Sequence, residues 1–388
     1  MKKPKCLFIS THFPPGPGGI SFHAFHIINE LHNNHNWSFE IAANQLYANE
    51  DEILDFNKSY HSKIHTLKDT PSLLSLIFKI IQLLVITIRF NPNVIVTSGK
   101  HATWFGALIK SILRKKTIAF GHGTEFGTTN PKEIKINKKA YSYIDLLICV
   151  SNFTLNYVNR KTEIKLKKGI VVYNGADQSL YKKLSPNDIT KFKSRKRILD
   201  QKILLTIGSV TERKGQWMVI KALPEILKHN PDTHYYCIGI PTEKDKFSEL
   251  AIELGVDENV HFLGKLTNQD LPLWTNASDL FLMTSSHTTD GDFEGFGISV
   301  IEAALCGIPA IVSSGEHGLT EAIETNVTGL AINEEESQEL AMAINDLLAN
   351  KNKLNQMGDA AYKRAIDRFT WRHIAKQIDK EINNIIYK

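Results

Sequence analysis

Short apolar runs alternate with longer amphipathic stretches through the first half of the chain. The short runs are bounded by Gly, Asn or Pro, which predicts buried strands at Cys6–Ser10, Phe39–Ala43, Val94–Thr97, Thr117–Phe120, Leu146–Val150 and Ile170–Tyr173. The pattern between them predicts helices such as Ser21–His32, His101–Leu113 and Ser151–Asn159. Apolar strands that alternate with helices indicate a parallel sheet covered on both faces.

The same pattern then begins a second time. Residues 181–200 are polar and Lys-rich and contain Ser185-Pro186-Asn187, which favours a linker region. Further strands are predicted at Ile203–Gly208, His234–Gly239, Asp279–Met283 and Ala310–Ser313. We therefore predict an α/β fold with two doubly wound, Rossmann-like domains, residues 1–180 and 181–370, that face a central cleft. The last helix, within residues 371–388, has no following strand and is expected to cross back to the first domain.

Charge is unevenly distributed along the 388 residues, although the net charge is only +5. Residues 1–180 contain 22 Lys/Arg and 12 Asp/Glu, a balance of +10, which leaves a balance of −5 for the remainder. A basic first half predicts contact with something anionic. Nucleic acid, a membrane face and an anionic acceptor are the candidates, but no basic–aromatic interleaving or reading motif supports nucleic acid.

The cysteines and the N-terminus both favour a cytoplasmic protein. Cys6, Cys149, Cys237 and Cys306 form no Cys-x-x-Cys pair, and buried free thiols are the simplest interpretation, which indicates a reducing compartment. The apolar run after Met1 is too short for a signal peptide.

The most hydrophobic stretch is Ser72–Phe90, which contains Lys79, Gln82 and Arg89. These polar residues argue against a transmembrane span and favour a buried or amphipathic helix. An interfacial role on a membrane stays open.

Candidate chemistry in the first half lies in two glycine-containing loops that follow strands. Gly18 and Gly19 allow the backbone to approach a phosphate or a sugar, although such turns also serve packing. His122 lies between two glycines at a strand end, without the apolar surround of a core residue. It could donate a hydrogen bond to a sugar hydroxyl or help to stabilise a charged transition state.

Arg213 and Lys214 lie in the loop after the strand that ends at Gly208, just before a helix. A helix N-terminus prefers anions, so adjacent cations there indicate an anionic ligand. Arg offers a fork for phosphate oxygens and Lys a point charge, and together they could stabilise a departing diphosphate.

Two glutamates eight positions apart flank the start of another helix. Glu294 precedes a glycine loop, and Glu302 lies about a turn and a half inside the helix. Carboxylates accept hydrogen bonds from hydroxyls and the helix N-terminus attracts phosphate, which suits a nucleotide sugar. Nearby, Asp290-Gly291-Asp292 has spacing that could hold a divalent cation. Because Arg213 and Lys214 already supply positive charge, we predict no metal.

With these residues in order, the chain resembles the retaining GT-B glycosyltransferases of family 4, a group that contains bacterial polysaccharide and phosphatidylinositol mannosyltransferases. The matching segments span nearly the whole chain: Gly18-Gly19, Gly121-His122-Gly123, Val150-Ser151, Asn174-Gly175-Ala176-Asp177, Gly208 through Gly215, Phe262-Leu263-Gly264 and Glu294 through Glu302.

The resemblance implies a role for each matching residue. Arg213 and Lys214 would bind the donor diphosphate, Glu302 the ribose hydroxyls, and Glu294 and His122 the transferred sugar; His122, Glu294, Arg213 and Lys214 form the implied catalytic set. Further donor contacts are implied for Gly18, Gly19, Gly208, Leu263, Lys265, Phe296, Gly297 and Ile298. Of these, Leu263 and Lys265 would border the base. Thr124 and Glu125 follow His122, at positions that differ among members of the family.

The implied reaction moves a hexose-type sugar from a UDP- or GDP-linked donor to a saccharide or lipid-linked acceptor, with retained anomeric configuration and without metal or cofactor. Acceptors of this kind belong to cell-envelope polysaccharide or glycolipid synthesis, and peripheral contact with an anionic membrane is expected alongside. A nucleotide-sugar epimerase of the same architecture and a non-catalytic nucleotide-sugar-binding protein are the open alternatives.

Overall fold

The computed structural model describes residues 3–16, 18–45, 48–67, 73–287, 292–333 and 336–387. The chain divides into two compact units, Met1–Asn174 with Trp371–Lys388, and Gly175–Thr370. The sequence placed this boundary after residue 180. The earlier boundary arises because Ala176 donates a backbone hydrogen bond to Phe369 (2.7 Å) and forms a β-bridge with Thr370, which ties the segment after Asn174 to the second unit.

The first unit is a parallel sheet with helices on both faces. Its strands are β1 Lys5–Ser10, β2 Ser38–Ala43, β3 Lys63–Thr66, β4 Val94–Ser98, β5 Lys116–Gly121, β6 Leu146–Cys149 and β7 Gly169–Val171. Its helices are α1 Gly19–Asn34, α2 Glu50–Ser59, α3 Leu73–Phe90, α4 Lys100–Leu113, α5 Pro131–Tyr143 and α6 Asn152–Lys161, with α14 Trp371–Ile386 from the end of the chain. Across the described residues, the strand order is β3-β2-β1-β4-β5-β6-β7.

The last helix, α14, belongs to the core of the first unit. Its buried side chains Trp371, Ile374, Ile378 and Ile382 pack in one cluster with residues of α1 and of strands β1, β2, β4, β5 and β6. At its outer edge, the indole N–H of Trp37 donates to Asp379 (2.7 Å).

The second unit repeats the architecture with its own core. Its strands are β8 Lys202–Ile207, β9 Thr233–Ile238, β10 Val260–Gly264, β11 Leu280–Met283, β12 Ala310–Ser314 and β13 Gly329–Asn333. Its helices are α7 Pro186–Lys196, α8 Gln216–His229, α9 Lys244–Glu253, α10 Leu271–Ala277, α11 Ile298–Leu305, α12 Ser337–Ala349 and α13 Lys351–Arg368. In the described part of this unit, the parallel strands follow the order β10-β9-β8-β11-β12-β13. Two parallel, doubly wound sheets confirm the predicted fold class.

The predicted linker at 181–200 is wrong, because α7 occupies residues 186–196. The Ser185 side chain accepts a hydrogen bond from the backbone of Asp188 (3.2 Å), and Pro186 occupies the first turn. Such a residue pair starts a helix efficiently. Phe192 anchors the helix by packing edge-on against Trp274.

Helix α3 occupies the hydrophobic stretch and only part of it is buried. Leu83 and Ile86 face the sheet, whereas several large apolar side chains of the same helix are exposed. In the described residues, no helix combines the length and the hydropathy needed to cross a bilayer. The four cysteines are free and buried, as predicted.

In both sheets, chain order reverses beside the first strand of the unit. β1 lies between β2 and β4, and β8 lies between β9 and β11, so the loops that leave the carboxyl ends of these strands diverge to opposite faces. Open parallel sheets bind ligands at such a switch point. Most residues singled out from the sequence lie in loops at these edges, and Glu302 lies inside α11.

Candidate functional site

The loop after β8 brings Arg213 and Lys214 to the switch point of the second sheet. It forms a 3₁₀ turn at Glu212–Lys214 and continues directly into α8. The backbone N–H of Ser286, after the neighbouring strand β11, donates to the carbonyl of Arg213 (2.9 Å). The loop is therefore attached to the adjacent strand end.

Gly215 makes this attachment possible. Its φ is +71°, and a Cβ there would lie 1.8 Å from the carbonyl oxygen of Thr284. The Thr284 hydroxyl donates to the Gly215 carbonyl (2.7 Å). A side chain at this position would push the loop away from β11. Glycine directly after Arg213 and Lys214 is therefore required to keep both cations at this strand end.

Glu294 lies between the two cations. Its Oε2 accepts from Arg213 Nη1 (2.9 Å) and from Lys214 Nζ (2.5 Å). Arg213 Nε also pairs with Asp292 Oδ2 (3.0 Å), and Asp292 is the most exposed member of the group. The structure thus brings together three residues of the predicted catalytic set within the second unit.

Burial and pairing act in opposite directions on these charges. Burial alone would raise the pKa of Glu294, but Lys214 and Arg213 outweigh it and lower the pKa to about 2. Burial lowers the pKa of Lys214, and Glu294 offsets part of that effect. For Arg213, burial lowers the pKa, but Glu294 and Asp292 raise it to a net increase. The carboxylate is therefore ionised at neutral pH, because buried charges persist only when they are paired.

The segment between Glu294 and α11 is fixed by packing and by a backbone hydrogen bond. Phe296 is buried, and its ring packs against Phe369 (5.6 Å between centroids). Gly297 precedes Ile298 at the helix start with φ +88°, and a Cβ there would lie 2.5 Å from Leu319. The carbonyl of Glu294 accepts from the backbone of Gly318 (2.8 Å), which fixes the loop.

Glu302 has a different set of neighbours from Glu294. It shares a hydrogen bond with Tyr181 and lies in the field of Asp177. Burial raises the pKa of Glu302 to about 7, the Tyr181 hydrogen bond lowers it, and Asp177 raises it further. The carboxyl thus already has a hydroxyl as its partner, and its role at a ribose stays a prediction.

Gly208, Leu263 and Lys265 occupy the same edge of the second sheet. Gly208 lies beside Lys214, since a Cβ there would be 3.5 Å from its Cε. Leu263 lies near the end of β10 and Lys265 follows that strand, two strands away from β8.

Gly239, which the sequence reasoning missed, joins these strand ends. A Cβ on Gly239 would lie 2.1 Å from the carbonyl oxygen of Gly208, and its N–H donates to Gly264 (2.9 Å). A glycine directly after a buried strand was the available signal.

In the first unit, Gly18 and Gly19 begin α1 at the end of the loop that follows β1. Gly18 has φ +118°, and a Cβ on either glycine would meet no atom within 4 Å. Packing therefore does not require glycine at these positions. The positive φ of Gly18 does favour glycine there, and the space beside the helix N-terminus is open.

His122 extends the carboxyl end of β5 in the first unit. Its Nε2 hydrogen-bonds with the hydroxyl of Ser98 (2.9 Å), and the His23 ring packs edge-on against it (4.9 Å between centroids). Burial lowers the pKa of His122 to about 4. At neutral pH the imidazole is uncharged, which favours hydrogen bonding over charge stabilisation.

Glu125 holds this loop and was not assigned a role from the sequence. Its two carboxyl oxygens accept from the backbone N–H groups of His122 (2.7 Å) and Gly123 (2.9 Å). Its own carbonyl accepts from Asn137 (2.8 Å), which in turn accepts from Trp104 (2.7 Å). Glu125 is thus a positioning residue for His122. The sequence shows only that Glu125 lies three residues after His122. The contact itself depends on the 3₁₀ turn at Thr124–Phe126, which brings the Glu125 carboxyl back to the backbone of His122.

The acidic loop considered for a metal lies partly outside the described residues, which exclude Asp290 and Gly291. Asp292 pairs with Arg213. Elsewhere in the described ranges, no three His, Cys, Asp or Glu side chains are grouped as metal ligands.

Comparison with known families accounts for both units. Residues 17–180 match the family described as Glycosyltransferase Family 4, and residues 188–364 match Glycosyl transferases group 1.

Two curated relatives are mannosyltransferases. The chain is similar to the GDP-mannose-dependent alpha-(1-6)-phosphatidylinositol monomannoside mannosyltransferase of Mycolicibacterium smegmatis, with 30% identity over 48% of this chain and 49% of that enzyme. The match therefore spans about half the length of that relative. A second similarity is to the GDP-mannose-dependent monoacylated alpha-(1-6)-phosphatidylinositol monomannoside mannosyltransferase of Corynebacterium glutamicum, with 27% identity over 71% of this chain and 74% of the relative.

Among solved structures, the fold is similar to that of Anabaena Alr3699/HepE in complex with UDP and glucose. The TM-score is 0.81 at 22% identity, over 98% of this chain and 100% of that one. This likeness establishes the shared fold.

The ionised state of Glu294 gives a pH-dependent stability. A pKa near 2 in the folded chain, against about 4.5 unfolded, means that its contribution is present above about pH 4.5 and is lost as pH falls toward 2. We expect Glu294→Gln to lower the free energy of unfolding of the second unit by about 3 kcal/mol at neutral pH. The difference from the unsubstituted protein should shrink in urea titrations below about pH 4.

The matched control is Glu258→Gln, an exposed glutamate of the same unit. Its effect should stay within about 0.5 kcal/mol at each pH. A Glu294→Gln penalty that is constant from neutral pH to about pH 3 would contradict the ion-pair account.

Replacement of Glu125 tests its positioning role. Glu125→Gln places an amide donor opposite a backbone N–H, so we expect a loss of about 1–3 kcal/mol in the unfolding free energy of the first unit. The measurement belongs at about pH 8, where the carboxyl, whose pKa burial raises to about 7, is ionised. Glu163→Gln, at an exposed site in the same unit, serves as control. Equal stability of the two variants would show that the carboxylate does not hold the loop.

Proposed function

Because the chain belongs to the family 4 glycosyltransferases, we propose that it transfers a hexose-type sugar from a nucleotide-diphosphate sugar to an acceptor hydroxyl, with retention of the anomeric configuration. The observation that carries the proposal is the cluster of Arg213, Lys214 and Glu294 at the switch point of the second sheet. Two cations and a buried carboxylate at one strand edge suit a ligand with both phosphate and hydroxyl groups.

The cations supply the electrostatic part of the reaction. The bond between the anomeric carbon and the diphosphate oxygen breaks, and negative charge accumulates on the leaving diphosphate. Arg213 can donate two parallel hydrogen bonds to phosphate oxygens and Lys214 one concentrated charge. Preorganised donors of this kind stabilise developing charge because they need no rearrangement during the step.

The carboxylates and the loop backbone orient the donor. We assign Glu294 and the backbone of Phe296, Gly297 and Ile298 to the transferred sugar, and Glu302 to the ribose. The β10 edge, with Leu263 and Lys265, is assigned to the base. For His122 we propose a hydrogen bond with a sugar hydroxyl, in keeping with its neutral imidazole.

Retention follows if the acceptor hydroxyl attacks from the face that the diphosphate leaves. The new bond joins the acceptor oxygen to the anomeric carbon through an oxocarbenium-like state, and the hydroxyl proton passes to a diphosphate oxygen. This route needs no protein nucleophile, and no metal is assigned to it.

The acceptor is proposed to be a saccharide or a lipid-linked sugar of the cell envelope. The basic balance of residues 1–180 and the phosphatidylinositol monomannoside acceptors in the names of both mannosyltransferase relatives support this class. We also propose that the protein works in the cytoplasm, in peripheral contact with an anionic membrane face. GDP-mannose and UDP-glucose are the donors to test first, given the GDP-mannose-dependent relatives and the UDP and glucose held by the structural relative.

A thermal-shift panel identifies the donor. A ligand that binds only the folded state at about 100 times its dissociation constant stabilises the protein by about 2.7 kcal/mol. We expect UDP or GDP, with the matching sugar nucleotide, to raise the melting temperature, and free mannose or glucose to leave it unchanged. A panel in which no nucleoside diphosphate shifts the transition would contradict the donor assignment.

Removal of the Lys214 charge tests the catalytic role. We expect Lys214→Ala to lower kcat/KM for sugar transfer at least about 100-fold, since one donor to developing charge is lost. Lys228→Ala, an exposed lysine on α8, should transfer at the original rate. Circular dichroism checks that both variants are folded. Undiminished turnover by folded Lys214→Ala would refute the diphosphate role.

The same assay separates transfer from epimerisation. Donor incubated without acceptor should yield no epimer, whereas an epimer that accumulates in the absence of acceptor would favour the epimerase alternative.

A further inference from the structure

Helix α3 carries a stripe of large apolar side chains on its outward face. Leu74 and Phe78 are each 69% exposed and Ile88 is 63% exposed, far more than a surface helix of a soluble domain requires. The outer stripe consists of Leu74, Ile77, Phe78, Ile81, Val85 and Ile88. These positions recur at intervals of three and four residues, so they lie along one side of the helix.

The outer stripe is exposed although α3 is firmly attached on its other side. Leu83 and Ile86 are buried in a cluster with Leu7, Ile9 and Ile95 of the first sheet. The helix is therefore oriented by its packing, and the stripe lies opposite the buried side. The neighbouring helix α4 also exposes two large apolar side chains, Leu108 and Ile112.

The segment that carries this surface has charge of one sign, although carboxylates of other elements lie beside it. Glu133 pairs with Lys100 and Asp145 with Lys110, and Glu40 lines the same groove as Val85 and Arg89. Residues 70–124 contain no Asp or Glu, whereas they contain seven basic residues, Lys79, Arg89, Lys100, Lys110, Arg114, Lys115 and Lys116. Helices α3 and α4 end where the adjacent parallel strands β4 and β5 begin, so Arg89, Arg114 and Lys116 gather at the amino edge of the sheet. All three are exposed.

We propose that the outer stripe, with Leu108 and Ile112 of α4 and the basic rim formed by Arg89, Arg114 and Lys116, docks on an anionic lipid bilayer. Apolar side chains enter the headgroup boundary while basic residues meet lipid phosphates, and each component strengthens the other. An anionic bilayer carries negative charge, and residues 70–124 contain no acidic residue that it would repel.

A second copy of the chain is a poorer occupant of this surface. A two-fold symmetric contact would place the same patch against itself. Two basic rims would then face each other without any acidic residue from this segment to pair with them, and like charges across an interface weaken it.

The docking surface gives a location to the membrane contact proposed above and does not depend on the transferase activity. Vesicle binding and sugar transfer to a soluble acceptor can therefore be measured separately. Loss of one result with retention of the other identifies which proposal fails.

Co-sedimentation with vesicles tests the surface directly. The full chain should sediment with phosphatidylcholine vesicles that contain about one-third phosphatidylglycerol, and should stay in solution with pure phosphatidylcholine or at high salt. Failure to sediment with the anionic vesicles at low salt would overturn the proposal.

Two sets of variants assign the binding to this face. Phe78→Ser with Ile81→Ser should weaken vesicle binding at least about tenfold, because two apolar anchors are lost. The matched control, Ile252→Ser with Met342→Ser, replaces two apolar residues that are exposed in the second unit, and it should bind as the unsubstituted protein does. Equal binding by both pairs would overturn the assignment to α3.

The basic rim has its own pair of variants. Arg89→Gln with Lys116→Gln should weaken binding about fivefold for each charge, whereas Lys191→Gln with Lys363→Gln, at exposed sites of the second unit, should have little effect. Equal weakening by both pairs would show that only overall charge matters and would overturn a defined rim.

Ultracentrifugation without lipid decides between a bilayer and a second copy. A dimer that Phe78→Ser with Ile81→Ser converts to monomer would assign the stripe to self-association and overturn the bilayer proposal. Circular dichroism verifies that all variants are folded, without reference to any nucleotide.

Discussion

One constraint organises the second unit: two partly buried cations must be paired with carboxylates at the edge of a parallel sheet. Arg213 and Lys214 would be costly to bury alone, and Glu294 meets both through one oxygen. The pairing requires that the loops after β8 and β11 meet, which happens because these strands are neighbours in the sheet. Gly215 then lets the backbones of the two loops come into contact. Strand order, loop conformation and charge pairing therefore depend on one another.

The cluster is electrically balanced, which has a consequence for anion binding. Arg213 and Lys214 contribute two positive charges, and Glu294 and Asp292 two negative ones. A diphosphate bound at this cluster, as proposed above, would therefore compete with a carboxylate. Asp292 is 43% exposed against 16% for Glu294, so its carboxylate can return to water at lower cost. Under that proposal, Asp292 is the partner that Arg213 would exchange for phosphate, while Glu294 stays paired with Lys214.

Strands could be predicted from the sequence where burial on both faces of the sheet leaves a continuous apolar run. At sheet edges the prediction was weaker. The central strands β1, β4, β5 and β8 were predicted to within two residues at either end, whereas β3, β10 and β13, each at the edge of a sheet, were not predicted as strands. An edge strand such as Lys63–Thr66 is only half buried and carries polar residues, so no apolar run marks it. Ser185 and Pro186 begin helix α7, but this residue pair was interpreted as part of a linker.

The same distinction holds for the candidate site. Arg213, Lys214 and Glu294 could be found because adjacent cations before a helix and a carboxylate beside a glycine loop are locally unusual. Glu125 and Gly239 act through backbone groups of other segments, and a contact of that kind leaves no trace in local spacing. Tyr181, the partner of Glu302, could not be predicted from the sequence either, since it lies more than a hundred residues earlier in the chain.

The two units present different chemistry at the carboxyl edges of their sheets. The switch point of the second sheet is ionic, whereas the loops at the first sheet hold a neutral histidine, two glycines and a carboxylate that faces backbone N–H groups. The difference follows from the surroundings of each side chain. His122 is half-buried beside His23 and Phe120, and its ring hydrogen-bonds with the Ser98 hydroxyl and not with a carboxylate, so burial lowers its pKa. Lys214 is also largely buried, but its intrinsic pKa is higher than that of histidine and Glu294 offsets part of the lowering by burial. The second sheet therefore holds paired charges at its edge, whereas the first offers a neutral hydrogen-bonding imidazole.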